Sequence, residues 1–450
     1  VTTLDIADRG FLWAVGIEDT AIGSAIRDGG RPLDEYELTG HYRRWREDLR
    51  LAADTGANAI RYGIPWYRVN PRPGRWDWRW LDPVLEFAAV DLGLTVIADL
   101  VHYGTPDWLA GSFTDPAYPD AVGDYAGEVA ARYDGLVRQF TPLNEPLVTA
   151  SFCGQRAVWP PYESGDLGWA RVVLSVADGI QQASAAIRAA QPDATIVHVE
   201  AAHLWRTLDP ALHAEIAHQE QRKFLPTDLL TGRVDPAHPL YRWLLDVGVG
   251  AQQLERLRAG AQRPDVIGVN YYPELSPREL VRHDGRTVSV AVDGGADGLS
   301  LVLREFHERY GTPVLLSETG VDGDTEHHRS WLRASVEAVV GLRTAGVPVI
   351  GYTWWPLYDF VDWSWASAGR VVEEFHTRVD GQVRPVQPPG RGDDLNGYLR
   401  AMGLFRLRPG ASVLRPEHTA AVDDFRRLTT TDMPPLTLRT NETTRAVETA

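Results

Sequence analysis

A single α/β domain built as a (β/α)8 TIM barrel, with long βα loops on one face, is the fold class this sequence predicts. Three observations lead to it. Eight short β-rich runs recur along the chain with helical stretches between them, the pattern of repeated βα units. Eight is also the number of strands that closes such a barrel. Gly56, Gly93, Gly311 and Gly346 stand where helices should stop, each a few residues before the next β-rich run.

Taken in order, the first strand is expected at 11–15, an unbroken apolar run. A helix over 42–55 ends at Gly56 and leads into a strand at 59–64. The next helix, 80–92, ends at Gly93 before a strand at 94–100. A helix over 118–133 precedes a strand at 137–143, and a longer helix over 169–190 precedes a strand at 195–200. A sixth strand is expected at 266–270. Helix 299–310 closes on Gly311 before strand 314–318, and helix 328–345 closes near Gly346 before strand 349–354. No internal linker rich in Pro, Ser and Gly divides this series, so residues 1–428 read as one barrel domain. The polar stretch 366–399, rich in Gly and Pro, follows the eighth strand and is expected as a long loop on the active-site face. From 429 to 450 the chain is threonine-rich and aperiodic, and a disordered tail is expected.

Composition narrows the function classes. The net charge of −16 over 450 residues argues against a nucleic-acid or anionic-membrane surface. No run is long and apolar enough for a membrane helix. Cys153 is alone, which leaves no intramolecular disulfide and no cysteine metal cluster. The first residues are neither basic nor apolar enough for a signal peptide, so a cytoplasmic location is expected over a secreted one. The chain does not begin with Met, and a removed leader stays open. Sixteen tryptophans are available, some as core and some as stacking platforms for sugar faces.

Two segments carry the chemistry. Thr141-Pro142-Leu143-Asn144-Glu145-Pro146 and Val314-Leu315-Leu316-Ser317-Glu318-Thr319-Gly320 each run from apolar strand into a glutamate. A buried carboxylate costs desolvation energy, and two at equivalent strand ends suit a reaction needing one acid and one carboxylate. Glycoside hydrolysis is the leading reaction of that kind. Arg61, His102, Asn270, Tyr272 and Trp355 fall at other strand ends and would converge on the same pocket. Each alone has a plainer reading: an ion pair for Arg61, a loop histidine for His102, packing for Tyr272. Glu326-His327-His328 reads as a helix start rather than a metal site, and no cofactor is expected.

The chain resembles family 1 glycoside hydrolases, the family of β-glucosidases and β-galactosidases. The likeness rests on seven segments in order. They are Phe11-Leu12-Trp13-Ala14-Val15, the stretch from Arg61 to Val69, the stretch from Val101 to Leu109, Asn144-Glu145-Pro146, the run from Ile267 to Tyr272, Ser317-Glu318-Thr319-Gly320, and the stretch from Gly351 to Trp363. The resemblance implies that Glu145 is the general acid and base and Glu318 the nucleophile. It implies support from Arg61, Asn144 and Tyr272, and a sugar pocket containing His102, Asn270, Trp355, Asp362 and Trp363. The substrate would be a small-molecule or oligosaccharide β-glycoside. Four departures accompany it: Ala21 in the register of a sugar-binding glutamine, Asp362 for a glutamate, Tyr103 for a tryptophan and Thr319 for an asparagine. Glu18 or Asp19 is expected to take over the missing glutamine's task, and an atypical sugar specificity is expected. A transglycosidase using the same glutamates, another retaining family of the same clan and a non-catalytic sugar-binding barrel remain as alternatives.

Overall fold

A computed structural model describes residues 10–23, 30–370, 375–409 and 414–436. Eight parallel strands close a barrel: β1 (Leu12–Gly16), β2 (Ala59–Gly63), β3 (Thr95–Asp99), β4 (Gln139–Thr141), β5 (Thr195–Ala201), β6 (Val266–Asn270), β7 (Val314–Thr319) and β8 (Val349–Trp354). Neighbours in sequence are neighbours in the barrel, and β8 closes the ring on β1. All eight strands expected from the sequence are present. β4 is shorter than expected at both ends, because ladder pairing covers only Gln139 to Thr141.

The barrel holds two apolar layers. Leu12, Ala14, Ala59, Ile97, Val197, Val199, Val266, Leu315 and Ile350 form the inner cluster. The outward faces pack against the surrounding helices α1 (His41–Asp54), α2 (Leu81–Glu86), α3 (Tyr118–Arg132), α4 (Gly165–Ala190), α5 (Ala251–Ala259), α6 (Gly295–Tyr310), α7 (Thr325–Thr344) and α8 (Ala420–Leu428). The helix expected at 80–92 is α only to Glu86 and continues as a π turn over Phe87–Asp91. Gly311 ends α6 at φ 64°, a conformation that a side chain would strain. At the start of α7, Asp324 accepts from the His327 amide at 2.9 Å, so Glu326-His327-His328 sits in a capped first turn.

The loop expected at 366–399 is corrected. It contributes a hairpin, Phe375–Val379 with Gln382–Pro385, that pairs with Arg286–Ala291. The result is a five-stranded outer sheet, completed by Pro277–His283 and Leu204–Arg206. Phe375 is buried, and that anchor outweighs the polar composition that suggests a loop. Of the expected tail, residues 437–450 lie outside the described residues. Before them, the Pro434 carbonyl accepts from Arg343 Nε at 2.8 Å and Leu436 packs against the inner barrel cluster. Among the described residues no helix is long and apolar enough to cross a membrane.

Candidate active site

Glu318 and Glu145 reach the barrel mouth by two different distortions. Around β7 the register slips between Leu316 and Glu318 against β6, and between Leu316 and Thr319 against β8. Such an irregularity re-aims a side chain that regular pleating would send elsewhere. Glu145 follows β4 with φ 47° and ψ 71°, a left-handed conformation that costs a non-glycine residue about 1–3 kcal/mol. Its amide donates to the Val199 carbonyl at 3.2 Å, which ties the strained residue to β5.

One polar network joins these carboxyls. Arg61, fully buried and inside β2 rather than at its end, bonds Glu318 Oε1 through Nη1. Its Nη2 donates to Asp99 Oδ2 at 2.5 Å and to Asn144 Oδ1 at 2.7 Å. Tyr272 donates to Glu318 Oε2 at 2.7 Å. On the other side, Asn270 Nδ2 donates to Glu145 Oε1 at 2.9 Å, and the Tyr103 hydroxyl donates to Glu145 Oε2. Ser317 in turn fixes Asn270 by donating to its Oδ1 at 2.7 Å. Asn144 Nδ2 lies 3.1 Å from His102 Nε2 and 3.0 Å from the Tyr103 hydroxyl.

Burial pushes both glutamates above the usual carboxylate range. The opposing influences differ. Arg61 and Tyr272 draw Glu318 back toward its charged form, while the nearby Glu145 adds to its rise. Hydrogen bonds from Tyr103 and Asn270 draw Glu145 back. For His102, burial disfavours the charge but Asp19 and Asp99 outweigh it and hold the imidazole well above its ordinary value. Both carboxylates lie 2.9 Å from its Nδ1. Burial pushes Asp19 up to about 6, with His102 opposing.

Asp19, Asp99 and His102 converge closely enough to suggest a metal site. Its centre is already taken, however. Arg61 lies 2.5 Å from Asp99, and the imidazole itself bridges the two aspartates. Two cationic groups therefore neutralise the carboxylates that a metal would need.

A family model described as glycosyl hydrolase family 1 matches residues 37–274, which hold Arg61, His102, Asn144, Glu145, Asn270 and Tyr272. The chain belongs to glycosyl hydrolase family 1. It is a glycoside hydrolase with a (β/α)8 fold. A bifunctional β-D-glucosidase/β-D-fucosidase of Bifidobacterium breve is 26% identical over 443 residues, covering 81% of this chain and 92% of the relative. A chloroplastic galactolipid galactosyltransferase of Arabidopsis thaliana is 24% identical, covering 71% of this chain and 51% of that protein. A solved family 1 β-glucosidase from Thermotoga maritima superposes with a TM-score of 0.75 at 19% identity, over 93% of this chain and 97% of that one.

The remaining residues of the candidate site surround the network. Glu18 Oε2 accepts from Trp355 Nε1 at 2.8 Å, and its Oε1 lies 3.9 Å from His102 Nε2. Trp355 stacks parallel to His102 with ring centres 5.7 Å apart. Asp19 instead packs beneath His102, against Gly63. Trp363 packs on Tyr103, Phe152 and Trp159. Asp362 is tied down within the protein: Oδ1 accepts from the Ser364 amide at 2.9 Å and from the Ser364 hydroxyl, and Oδ2 faces Arg400 at 3.4 Å. Asp99 and Tyr103 join the network without being among the expected site residues. An acidic residue in the apolar run Leu94–Leu100 is the signal for Asp99, since strands bury a charge only against a partner.

Proposed function

We propose that this family 1 enzyme is a retaining β-glycosidase acting by double displacement through a covalent glycosyl-enzyme. The observation that supports this most is the unequal partnering of the two buried glutamates. Glu318 touches a full positive charge, whereas Glu145 touches only neutral donors. We read a pair that shares one proton as holding it on Glu145, because Arg61 touches Glu318 directly and reaches Glu145 only through space. That is the arrangement double displacement needs. Glu145 protonates the leaving oxygen as Glu318 attacks the anomeric carbon, and Glu145 then draws a proton from water to release the sugar. Asn144 meets the 2-hydroxyl in this reading, and His102, Asn270, Glu18, Trp355, Asp362 and Trp363 shape the sugar pocket. No step calls on a metal or cofactor.

The galactosyltransferase relative favours a second reading, in which an acceptor other than water captures the same intermediate. Product analysis with and without an added alcohol separates the two.

Two expected results arise here. Removing the Tyr272 hydroxyl withdraws a donor that favours charged Glu318, so the pKa of Glu318 rises in Tyr272→Phe. The acidic limb of the kcat/KM profile, where the nucleophile becomes protonated, therefore moves to higher pH while the basic limb stays. The lost bond to a charged group is worth about 1.5–3 kcal/mol, a roughly ten- to hundredfold rate loss if it tightens in the transition state. An unmoved acidic limb would exclude this role.

The second concerns the glycone. Ala21 offers no side-chain hydrogen bond, and the Asp362 carboxylate is occupied by Ser364 and Arg400. A sugar hydroxyl desolvated without a partner costs on the order of 1–3 kcal/mol. In a panel of aryl glucosides, galactosides, fucosides, xylosides and mannosides, the 6-deoxy fucoside should exceed the glucoside in kcat/KM by roughly tenfold. A glucoside preference would show that Glu18 and its neighbours restore the outer grip.

A further inference from the structure

Tyr103 and Glu145 meet at the barrel mouth from neighbouring strands, both buried and both in left-handed backbone. Tyr103 follows β3 with φ 71°, and Glu145 follows β4 with φ 47°. Each conformation is strained for a non-glycine side chain and persists only where the surroundings impose it. The Tyr103 segment is pinned against the chain after β1. The His102 carbonyl accepts from the Ala21 amide at 3.3 Å, and a Cβ on Gly104 would stand 1.7 Å from the Ala21 carbonyl oxygen. The Tyr103 ring packs edge-on against His102 and Trp363, with ring centres 4.6 and 5.3 Å apart.

The hydrogen-bond roles around this pair follow from Arg61, which can only donate. The Asn144 atom that Arg61 Nη2 meets at 2.7 Å is therefore the carbonyl oxygen. The Asn144 amide nitrogen then lies against the Tyr103 hydroxyl, at 3.0 Å. The phenol oxygen accepts there, so its own proton is directed to Glu145 Oε2. The same logic fixes Asn270. Its group facing the Asn144 oxygen at 3.2 Å is Nδ2, and that nitrogen also donates to Glu145 Oε1 at 2.9 Å. Ser317, donating to Asn270 Oδ1 at 2.7 Å, locks the amide that way round. One oxygen of Glu145 thus faces a partner that only donates, and the other faces a hydroxyl that both donates and accepts.

We propose that Tyr103 is a positioning residue for Glu145, holding the carboxyl by Oε2 and turning its hydroxyl to suit each protonation state of that oxygen. The proposal rests on the reading of Glu145 as acid and base; the two-way contact rests on the geometry. With Glu145 protonated, Oε2 carries the proton, because Oε1 already receives the Asn270 N–H. In the first step that proton passes to the leaving oxygen. The glycosidic bond breaks with its electron pair going to the same oxygen, and Glu318 bonds the anomeric carbon. Oε2 is left bare, and the Tyr103 hydroxyl donates to it as charge develops. In the second step water returns a proton to Oε2 and releases the hydroxyl again. Tyr103 keeps its own proton throughout, since burial, then Glu145 and Glu318, hold the phenol well above its ordinary value.

This contact has a sign in the pH profile. Burial raises Glu145, and the bond from Tyr103 is the foremost influence opposing it. Removing that donor raises the carboxyl further. The acid form then persists to higher pH, and the basic limb of kcat/KM moves up with it. Other titratable groups face Glu145 through space: Arg61 on β2, His102 after β3, Glu200 on β5, Tyr272 after β6 and Glu318 on β7. Glu18 faces Tyr103 in the same way. All of these stay in place when only the hydroxyl is removed, so the limb reports on the hydroxyl.

The test is Tyr103→Phe, which keeps the ring and its packing and loses only the hydroxyl. The ratio kcat/KM is measured across pH on phenyl and dinitrophenyl β-glycosides of the glycone turned over best, with thermal unfolding as the control on folding. The phenyl glycoside should lose roughly tenfold or more and the dinitrophenyl glycoside far less, because only the poor leaving group needs the proton. The basic limb should move to higher pH while the acidic limb stays. Fluorotyrosine at position 103, a more acidic phenol and a stronger donor, should move the same limb to lower pH. If Tyr103→Phe does not fold, the limb of the fluorotyrosine enzyme decides alone. Equal losses on the two substrates, or a basic limb that stays put or moves the same way in both proteins, overturns the proposal. Glu145→Ala is assayed beside them. Losses graded by leaving group in Glu145→Ala but not in Tyr103→Phe would leave the glycosidase reading standing and reduce Tyr103 to packing. No grading in Glu145→Ala would count against the glycosidase reading itself.

Discussion

Glu318→Gly is expected to abolish hydrolysis, with a loss on the order of 10⁶-fold, the scale that follows removal of a covalent nucleophile. No other carboxylate in the described network is placed against Arg61 and Tyr272 together. The truncation also opens space on the α face of the sugar. Supplied with an α-glycosyl fluoride of the right sugar, the variant should transfer it to an added acceptor, because Glu145 can still act as base. Substantial residual hydrolysis, measured on purified protein, would refute the role given to Glu318.

Glu145→Ala removes the proton donor and leaves the nucleophile with its partners. The loss should track the leaving group. Aryl glycosides with basic phenols should slow by roughly 10²–10⁴-fold in the glycosylation step, whereas dinitrophenyl glycosides should lose far less there. Azide should accelerate the second step and yield a β-glycosyl azide. Equal losses for good and poor leaving groups, with no azide effect, would mean that Glu145 is not the acid. The basic limb of the wild-type pH profile belongs to the same group: burial raises Glu145, so the acid form persists to higher pH than for an exposed glutamate.

Much of this architecture is legible in the chain because barrel strands are short, apolar and separated by glycine-terminated helices. The expected bounds of β6 and β8 match the structure to the residue. Asn144, Asn270, Tyr272 and Glu318 are legible because polar residues break apolar strands at one end of the barrel, and Arg61 because a charge interrupts an apolar strand from within. What is not legible depends on long-range pairing. The outer sheet joins segments around residues 204, 280, 288, 377 and 383, and no local pattern says that they will meet. Its hairpin 375–385 is polar and short, so composition speaks for a loop. The helices between β5 and β6 escape the sequence reading for a different reason: they are brief, at six to ten residues apiece, too short for a clear amphipathic period. The role of Asp362 also depends on a contact, since only the fold brings Ser364 and Arg400 onto its carboxylate.

The central claim is that Glu318 becomes covalently bonded to the sugar. It is tested most directly by incubating the enzyme with a 2-deoxy-2-fluoro-β-glycosyl fluoride of the glycone it turns over best, followed by intact-mass and peptide analysis. A single added glycosyl unit on the peptide carrying Glu318, with activity lost in step, is the expected result. Inactivation without an adduct, or an adduct carried by Glu145, would contradict it.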